Sequence, residues 1–130
     1  MIELNEKVTR EMNKYLDETT IEEILARNKK MFHFQIMFNK QQMNQEIDVL
    51  DLSMRGYNCL KRHGFKTLRD LVNGVETKDD ATSKKQLLRL RNLGRNTAEE
   101  ILMKLFYYQF QILSDEGKRN YMQQIVELNL

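Results

Sequence analysis

The sequence predicts an all-α protein, a compact bundle of short helices preceded by an N-terminal helical segment. Three observations carry that expectation. The 130 residues include no proline and only five glycines, so few positions break a helix. Leu, Lys, Glu, Gln and Met are abundant, and these side chains lose little rotamer freedom in a helix. Apolar residues recur at three- and four-residue spacing along most of the sequence, whereas two-residue alternation is conspicuous in a single stretch.

Leu4, Val8, Met12 and Tyr15 or Leu16 mark a first amphipathic helix that ends near Asp17. Thr20-Ile21-Glu22-Glu23 has the form of a capping box, in which threonine and glutamate satisfy each other's backbone donors. A second helix is therefore expected there, with Ile21, Ile24, Leu25 and Phe32 on its apolar side. Residues 31–38, MFHFQIMF, form the alternating stretch, with Phe32, Phe34, Ile36 and Phe38 on one side of a would-be strand. No second strand is available to pair with it, so helix is favoured. Either conformation leaves apolar surface that needs cover from the downstream domain or from a second copy of the protein.

The polar run Gln41–Glu46 reads as a connector. It divides residues 1–46, a segment for homodimerisation or partner docking, from a helical domain over residues 47–130. Beyond it, Ser53, Thr67 and Ser83 open short helical runs over 54–63, 68–73 and 84–90, and Gly64 and Gly74 suit the ends of the first two. Asn92-Leu93-Gly94 reads as a tight turn with Gly94 at positive φ. A long helix over 95–112 follows, with Thr97-Ala98-Glu99-Glu100 as an acidic first turn. Ser114-Asp115-Glu116 caps a last helix bearing Tyr121, Met122, Ile125, Val126 and Leu128.

Composition excludes several classes. With 31% charged and 41% apolar residues the protein is an ordinary globular one rather than disordered or membrane-spanning. No apolar run approaches a bilayer span and MIELNEKVTRE lacks the core of a signal peptide, so a cytoplasmic location without membrane contact is expected. The single cysteine, Cys59, cannot close an internal disulfide and reads as a small core residue. Together with His33 and His63 it makes no metal set, and no cofactor is implied. Asp79-Asp80 lies in a loop with no histidine near, a poor base for acid/base or metal chemistry, and an enzyme is not expected.

The net charge of +2 is small, but it is unevenly spread. Lys and Arg against Asp and Glu number seven to eight over residues 1–47, twelve to eight over 48–105 and two to three over 106–130. All the excess positive charge thus sits in the middle segment. There RNLGRNTAEEI, residues 91–101, sets Arg91 and Arg95 around a glycine turn that opens into a helix. First-turn N–H groups of a helix have no intrahelical acceptor, so such a corner suits a phosphate.

Two blocks carry a more specific signal: IDVLDLSMRGYNCLKRHGFKTLRDLV, residues 47–72, and LLRLRNLGRNTAEEILMKL, residues 87–105. Asp48, Leu50, Asp51, Leu52, Ser53, Arg55, Asn58, Cys59, Leu60 and Lys61, followed by Asn92, Leu93 and Gly94, form a pattern that resembles the C-terminal domain of the bacterial RNA polymerase alpha subunit. The resemblance implies a compact helical domain with a helix-hairpin-helix element that binds the minor groove of A/T-rich DNA near promoters and touches transcription factors. It also implies that Arg55 enters the groove with Asn58 beside it, that Gly94 meets phosphate, and that Thr97 and Glu100 stand near the DNA. An arginine reads the concentrated negative potential of a narrow A/T-rich groove as shape.

Three departures accompany it. Asn96 stands where the family usually has lysine, with Arg91 and Arg95 as compensating charges. The stretch between Val72 and Leu87, with its Asp79 and Asp80, is longer than the family's. The large assembly domain of an alpha subunit is missing, which points to a stand-alone relative. The expected function is non-enzymatic DNA binding in transcription through Arg55, Asn58, Arg91, Asn92, Gly94, Arg95, Asn96, Thr97 and Glu100. The alternative is a module that binds RNA polymerase, sigma or a regulator without DNA.

Overall fold

Most of the described helices begin where a side chain takes a backbone N–H that the helix itself leaves unsatisfied. The computed structural model describes residues 6–29, 32–75 and 87–129. These contain α1 (Glu6–Asn13), α2 (Ile21–Arg27), α3 (Lys40–Met43), a 3-10 turn (Ile47–Leu50), α4 (Met54–Arg62), α5 (Leu68–Val75), α6 (Arg95–Gln111) and α7 (Asp115–Asn129). The all-α class is the one the sequence predicts: among the described residues there is no strand, and β pairing is limited to one antiparallel bridge between Glu46 and Thr67. Leu4, Met31, Ser83, residues 84–86 and the Asp79-Asp80 stretch lie outside the described residues.

The caps follow the sequence with instructive differences. The Thr20 hydroxyl accepts the Glu23 N–H at 3.2 Å, but Glu23 turns its own carboxylate to the Thr19 hydroxyl at 3.1 Å, so half of the expected box forms. A reciprocal box instead opens α3, where Asn39 accepts the Gln42 N–H at 2.8 Å and Gln42 accepts the Asn39 N–H at 2.9 Å. The polar run read as a connector therefore holds a one-turn helix. Before α5, the Asp70 carboxylate accepts the N–H groups of Lys66 at 3.0 Å and Thr67 at 3.2 Å, while the Thr67 hydroxyl accepts the Asp70 N–H at 3.3 Å. These backbone donors hold the Asp70 carboxyl below its ordinary value. Ser114 caps α7 as expected, accepting the Gly117 N–H at 3.1 Å.

Three expectations are corrected. Residues 32–39 form neither helix nor strand, and Phe32 does not lie on α2, which ends at Arg27. Side-chain amides take over the role of a partner strand: Asn129 accepts the His33 N–H and donates to the His33 carbonyl, each at 2.8 Å. The fully buried Gln109 accepts the Met37 N–H at 2.5 Å. Once these groups are satisfied, the segment can bury Phe34 without regular structure. Second, α1 stops at Asn13 rather than near Asp17, because the Asn13 amide accepts the Ile21 N–H at 2.8 Å and donates to Glu22 at 2.8 Å. Third, α5 runs through Gly74 to Val75. A Cβ at Gly74 would lie 3.1 Å from the Phe65 ring, so this glycine serves close packing and not termination.

Internal packing divides the described residues into two compact units, 35–109 and 6–34 with 110–129. The division falls away from Gln41–Glu46, and residues 110–129 group with the N-terminal helices. In the first unit Ile47, Leu50, Leu60, Leu68, Leu71, Val72, Leu87, Ile101, Leu105 and Phe106 are buried. Val8, Met12, Ile21, Ile24, Phe34, Phe110, Tyr121, Met122 and Ile125 are buried in the second. Removing one such residue from water contributes roughly 1.5–3 kcal/mol, so both units carry a real core.

Candidate functional site

The site lies in the first unit, where α4 is fastened along its length to α6 and to the corner that precedes it. At the start of α4 the Ser53 hydroxyl accepts the Gly56 N–H at 3.2 Å. The Glu100 carboxylate of α6 accepts both the Ser53 N–H at 3.1 Å and the Ser53 hydroxyl at 2.8 Å. A Cβ at Gly56 would stand 2.7 Å from Glu100 Oε1 and 3.7 Å from Thr97 Cγ2, so a larger residue there would push the Glu100 carboxylate aside. One turn on, the buried Cys59 sets its Sγ 3.9 Å from the Asn92 carbonyl oxygen, in keeping with its expected place in the core. At the end of α4, His63 Nε2 lies 2.8 Å from the Arg91 carbonyl oxygen and so donates to it. Beyond it Gly64 takes the left-handed conformation at φ 83°, as a helix stop requires.

These fasteners leave one side of α4 outward. Arg55, Asn58 and Arg62, spaced i, i+3 and i+7, are all exposed. Arg55 and Asn58 thus lie on the outward side of a helix whose start is fastened to α6 through Ser53 and Glu100. Arg62 was not among the expected site residues, nor was His63. The i, i+3, i+7 spacing of polar residues on α4 was the signal that could have found Arg62.

The corner itself differs from expectation in one respect. The left-handed residue is Asn92, at φ 65°, and Gly94 is not at positive φ. Asparagine tolerates that conformation at modest cost, which leaves Gly94 with no local need to be glycine. Leu93 is 5% exposed and anchors the corner in the core, its N–H reaching the Leu90 carbonyl at 3.2 Å. Arg91, Asn92, Gly94, Arg95 and Asn96 are exposed and Thr97 is half-buried. A Cβ at Gly94 would meet nothing within 4 Å. Helix α6 starts at Arg95, where the long helix over 95–112 was expected to begin, and its first-turn N–H groups have no intrahelical acceptors. Arg62, His63, Arg91 and Asn92 line an open hollow of about 200 Å³ beside it.

The arrangement can attract and hydrogen-bond an anion. Among the described residues no three His, Cys, Asp or Glu side chains are grouped to hold a metal ion, and no helix is long and apolar enough to cross a membrane.

Comparison with known proteins identifies the family. The family described as the C-terminal domain of the bacterial RNA polymerase alpha chain matches residues 36–106, more than half of the sequence. The chain belongs to that family. Among its relatives is a DNA-directed RNA polymerase subunit alpha of Bacillus velezensis, 40% identical over 79 residues, which span 56% of this chain and 23% of the relative. Another is the subunit alpha of Oceanobacillus iheyensis, 43% identical over 63 residues, 48% of this chain and 18% of the relative. The chain thus spans about a fifth of the length of these relatives. The family's matched span ends before α7 and begins after α1 and α2, so the whole of the second unit lies outside it.

Proposed function

We propose that the protein is a non-enzymatic DNA-binding protein of transcription that reads the minor groove of A/T-rich DNA. Arg55 enters the groove, Asn58 lies beside it, and residues 87–97 act as the hairpin of a helix-hairpin-helix element. The observation that carries this reading is the open corner at Gly94. Neither conformation nor packing demands glycine there, and removing the Cβ clears the way for a close approach from outside the protein. Arg91 and Arg95 flank that opening, and the N–H groups of Arg95, Asn96 and Thr97 are the free donors of a helix start, the combination that favours phosphate.

Asn96 supplies a hydrogen-bond donor rather than a charge. Arg62 and His63 add positive charge and a polar wall on the other side of Asn92. Glu100 acts indirectly: its carboxylate is engaged by Ser53, and by fixing the start of α4 it fixes the direction from which Arg55 leaves the helix.

Fluorescence anisotropy with an A-tract duplex and a G/C duplex of equal length, each titrated with salt, tests the proposal. Tighter A-tract binding that weakens as salt rises is expected, and Arg55→Ala should abolish the preference while the fold persists. Absence of binding to either duplex at low salt would overturn it. Asn96, in place of the family's usual lysine, would then favour the module that binds RNA polymerase or a regulator without DNA.

A further inference from the structure

Folding joins two stretches of sequence that hold no acid. Residues 52–69, which include α4, contain neither Asp nor Glu, and the same is true of residues 87–98, which include the corner before α6. The hydrogen bond between His63 and the Arg91 carbonyl ties the end of one to the middle of the other. Around that tie lies the open hollow of about 200 Å³ lined by Arg62, His63, Arg91 and Asn92. No carboxylate lines it, and no acid stands within four residues of either arginine in the sequence. Both arginines are exposed, and neither is in an ion pair among the described residues.

The acceptors of the corner are turned the other way. His63 Nε2 lies 2.8 Å from the Arg91 carbonyl oxygen, and Cys59 Sγ lies 3.9 Å from that of Asn92. Two successive carbonyls, each of which would oppose an anion, are thus engaged by α4. What remains around the hollow is two guanidinium groups and an exposed asparagine. A solvated surface of mixed charge would set acids among these cations, and here there are none. Like charges gathered around one opening repel each other, and an anion between them relieves that repulsion. Guanidinium forks match phosphate oxygens in geometry as well as in charge.

We infer that the hollow is a phosphate seat in which Arg62 and Arg91 close together on one backbone phosphate of duplex DNA, a contact separate from the one at Gly94. The inference rests on the DNA-binding reading above and deepens it. Arg62 follows Arg55 by seven residues, so the two leave the same side of α4 about 10 Å apart along its axis, at 1.5 Å per residue. That is about three phosphate steps of 3.4 Å along one strand. A backbone bordering the groove that Arg55 enters can therefore reach the hollow. The seat supplies charge that Asn96 does not, and a phosphate contact raises affinity without altering the A/T preference.

The test uses the full-length protein with Arg62→Gln, Arg91→Gln and both together; the two side chains are exposed, so the substitutions spare the fold. Anisotropy is followed on A-tract and G/C duplexes between about 50 and 200 mM salt. Each single variant should lower the slope of log K against log salt. The double variant should lower it by about one, the share of a single phosphate, with the A-tract to G/C ratio unchanged. A fall near two, in equal and independent steps, would mean two unrelated surface contacts. An unchanged slope in a protein that still prefers the A-tract would mean no contact at all. Either result overturns this inference alone. Failure of the wild type to bind any duplex would overturn both readings. Protection of that protein from thermal unfolding by inorganic phosphate, lost in the double variant, would then reassign the seat to a free phosphate.

Discussion

The starts of α4 and α6 lie side by side and treat the same problem in opposite ways. Each leaves backbone N–H groups that the helix cannot satisfy. At α4 the problem is closed from within: Ser53 and Glu100 cap the end, and a Cβ at Gly56 would press on the Glu100 carboxylate. At α6 it is left open, with Gly94 facing empty space and exposed arginines on either side. Two glycines in one unit thus have unrelated causes, one packing and one access. The closed end contributes stability and the open end availability, and substitutions should separate the two.

The largest stability loss is expected from Glu100→Ala, which removes the acceptor of both the Ser53 N–H and the Ser53 hydroxyl. About 2 kcal/mol is expected from two hydrogen bonds to a charged group, visible as a fall in thermal midpoint with a largely helical spectrum retained. Gly56→Ala follows, at roughly 1 kcal/mol net. The new methyl displaces the Glu100 carboxylate, while the helix gains up to about 1 kcal/mol of propensity. A stabilised Gly56→Ala protein would break the comparison, since it would mean the closed end has slack. Gly94→Ala should shift unfolding by less than about 0.5 kcal/mol, yet weaken A-tract binding. Unaltered binding by that variant would leave the open corner without a ligand.

The smallest effect concerns the cap of α5. Asp70 has its folded pKa lowered by the Lys66 and Thr67 N–H groups, so its contribution is fully present above the ordinary value of 3.8 and is lost as pH falls through the lower folded value. Wild type and Asp70→Asn should therefore converge in stability in acid titrations that run below that ordinary value, and stay apart above it.

Much of this was legible in the sequence. Ser53, Thr67 and Ser114 announced helix starts because a hydroxyl before a helical run has few other uses, and the blocks around Arg55 and Gly94 pointed to the family. What was not legible depended on partners distant in sequence. Gly74 looked like a stop because its neighbour Phe65 is invisible to local patterning. Residues 32–39 looked helical because the amides that satisfy them, Asn129 and Gln109, lie far downstream.

The division into two units also bears on the order in which the protein can be made. Residues 35–109 hold every described segment of the first unit and can complete it as soon as they have emerged from the ribosome. The second unit is split by them, with α1 and α2 synthesised before and their partner α7 after. Until α7 appears, Val8, Met12, Ile21 and Ile24 have no core to enter, and the nascent polypeptide holds them exposed while the unit behind them folds. The family domain thus stands in the sequence between the two halves of the second unit.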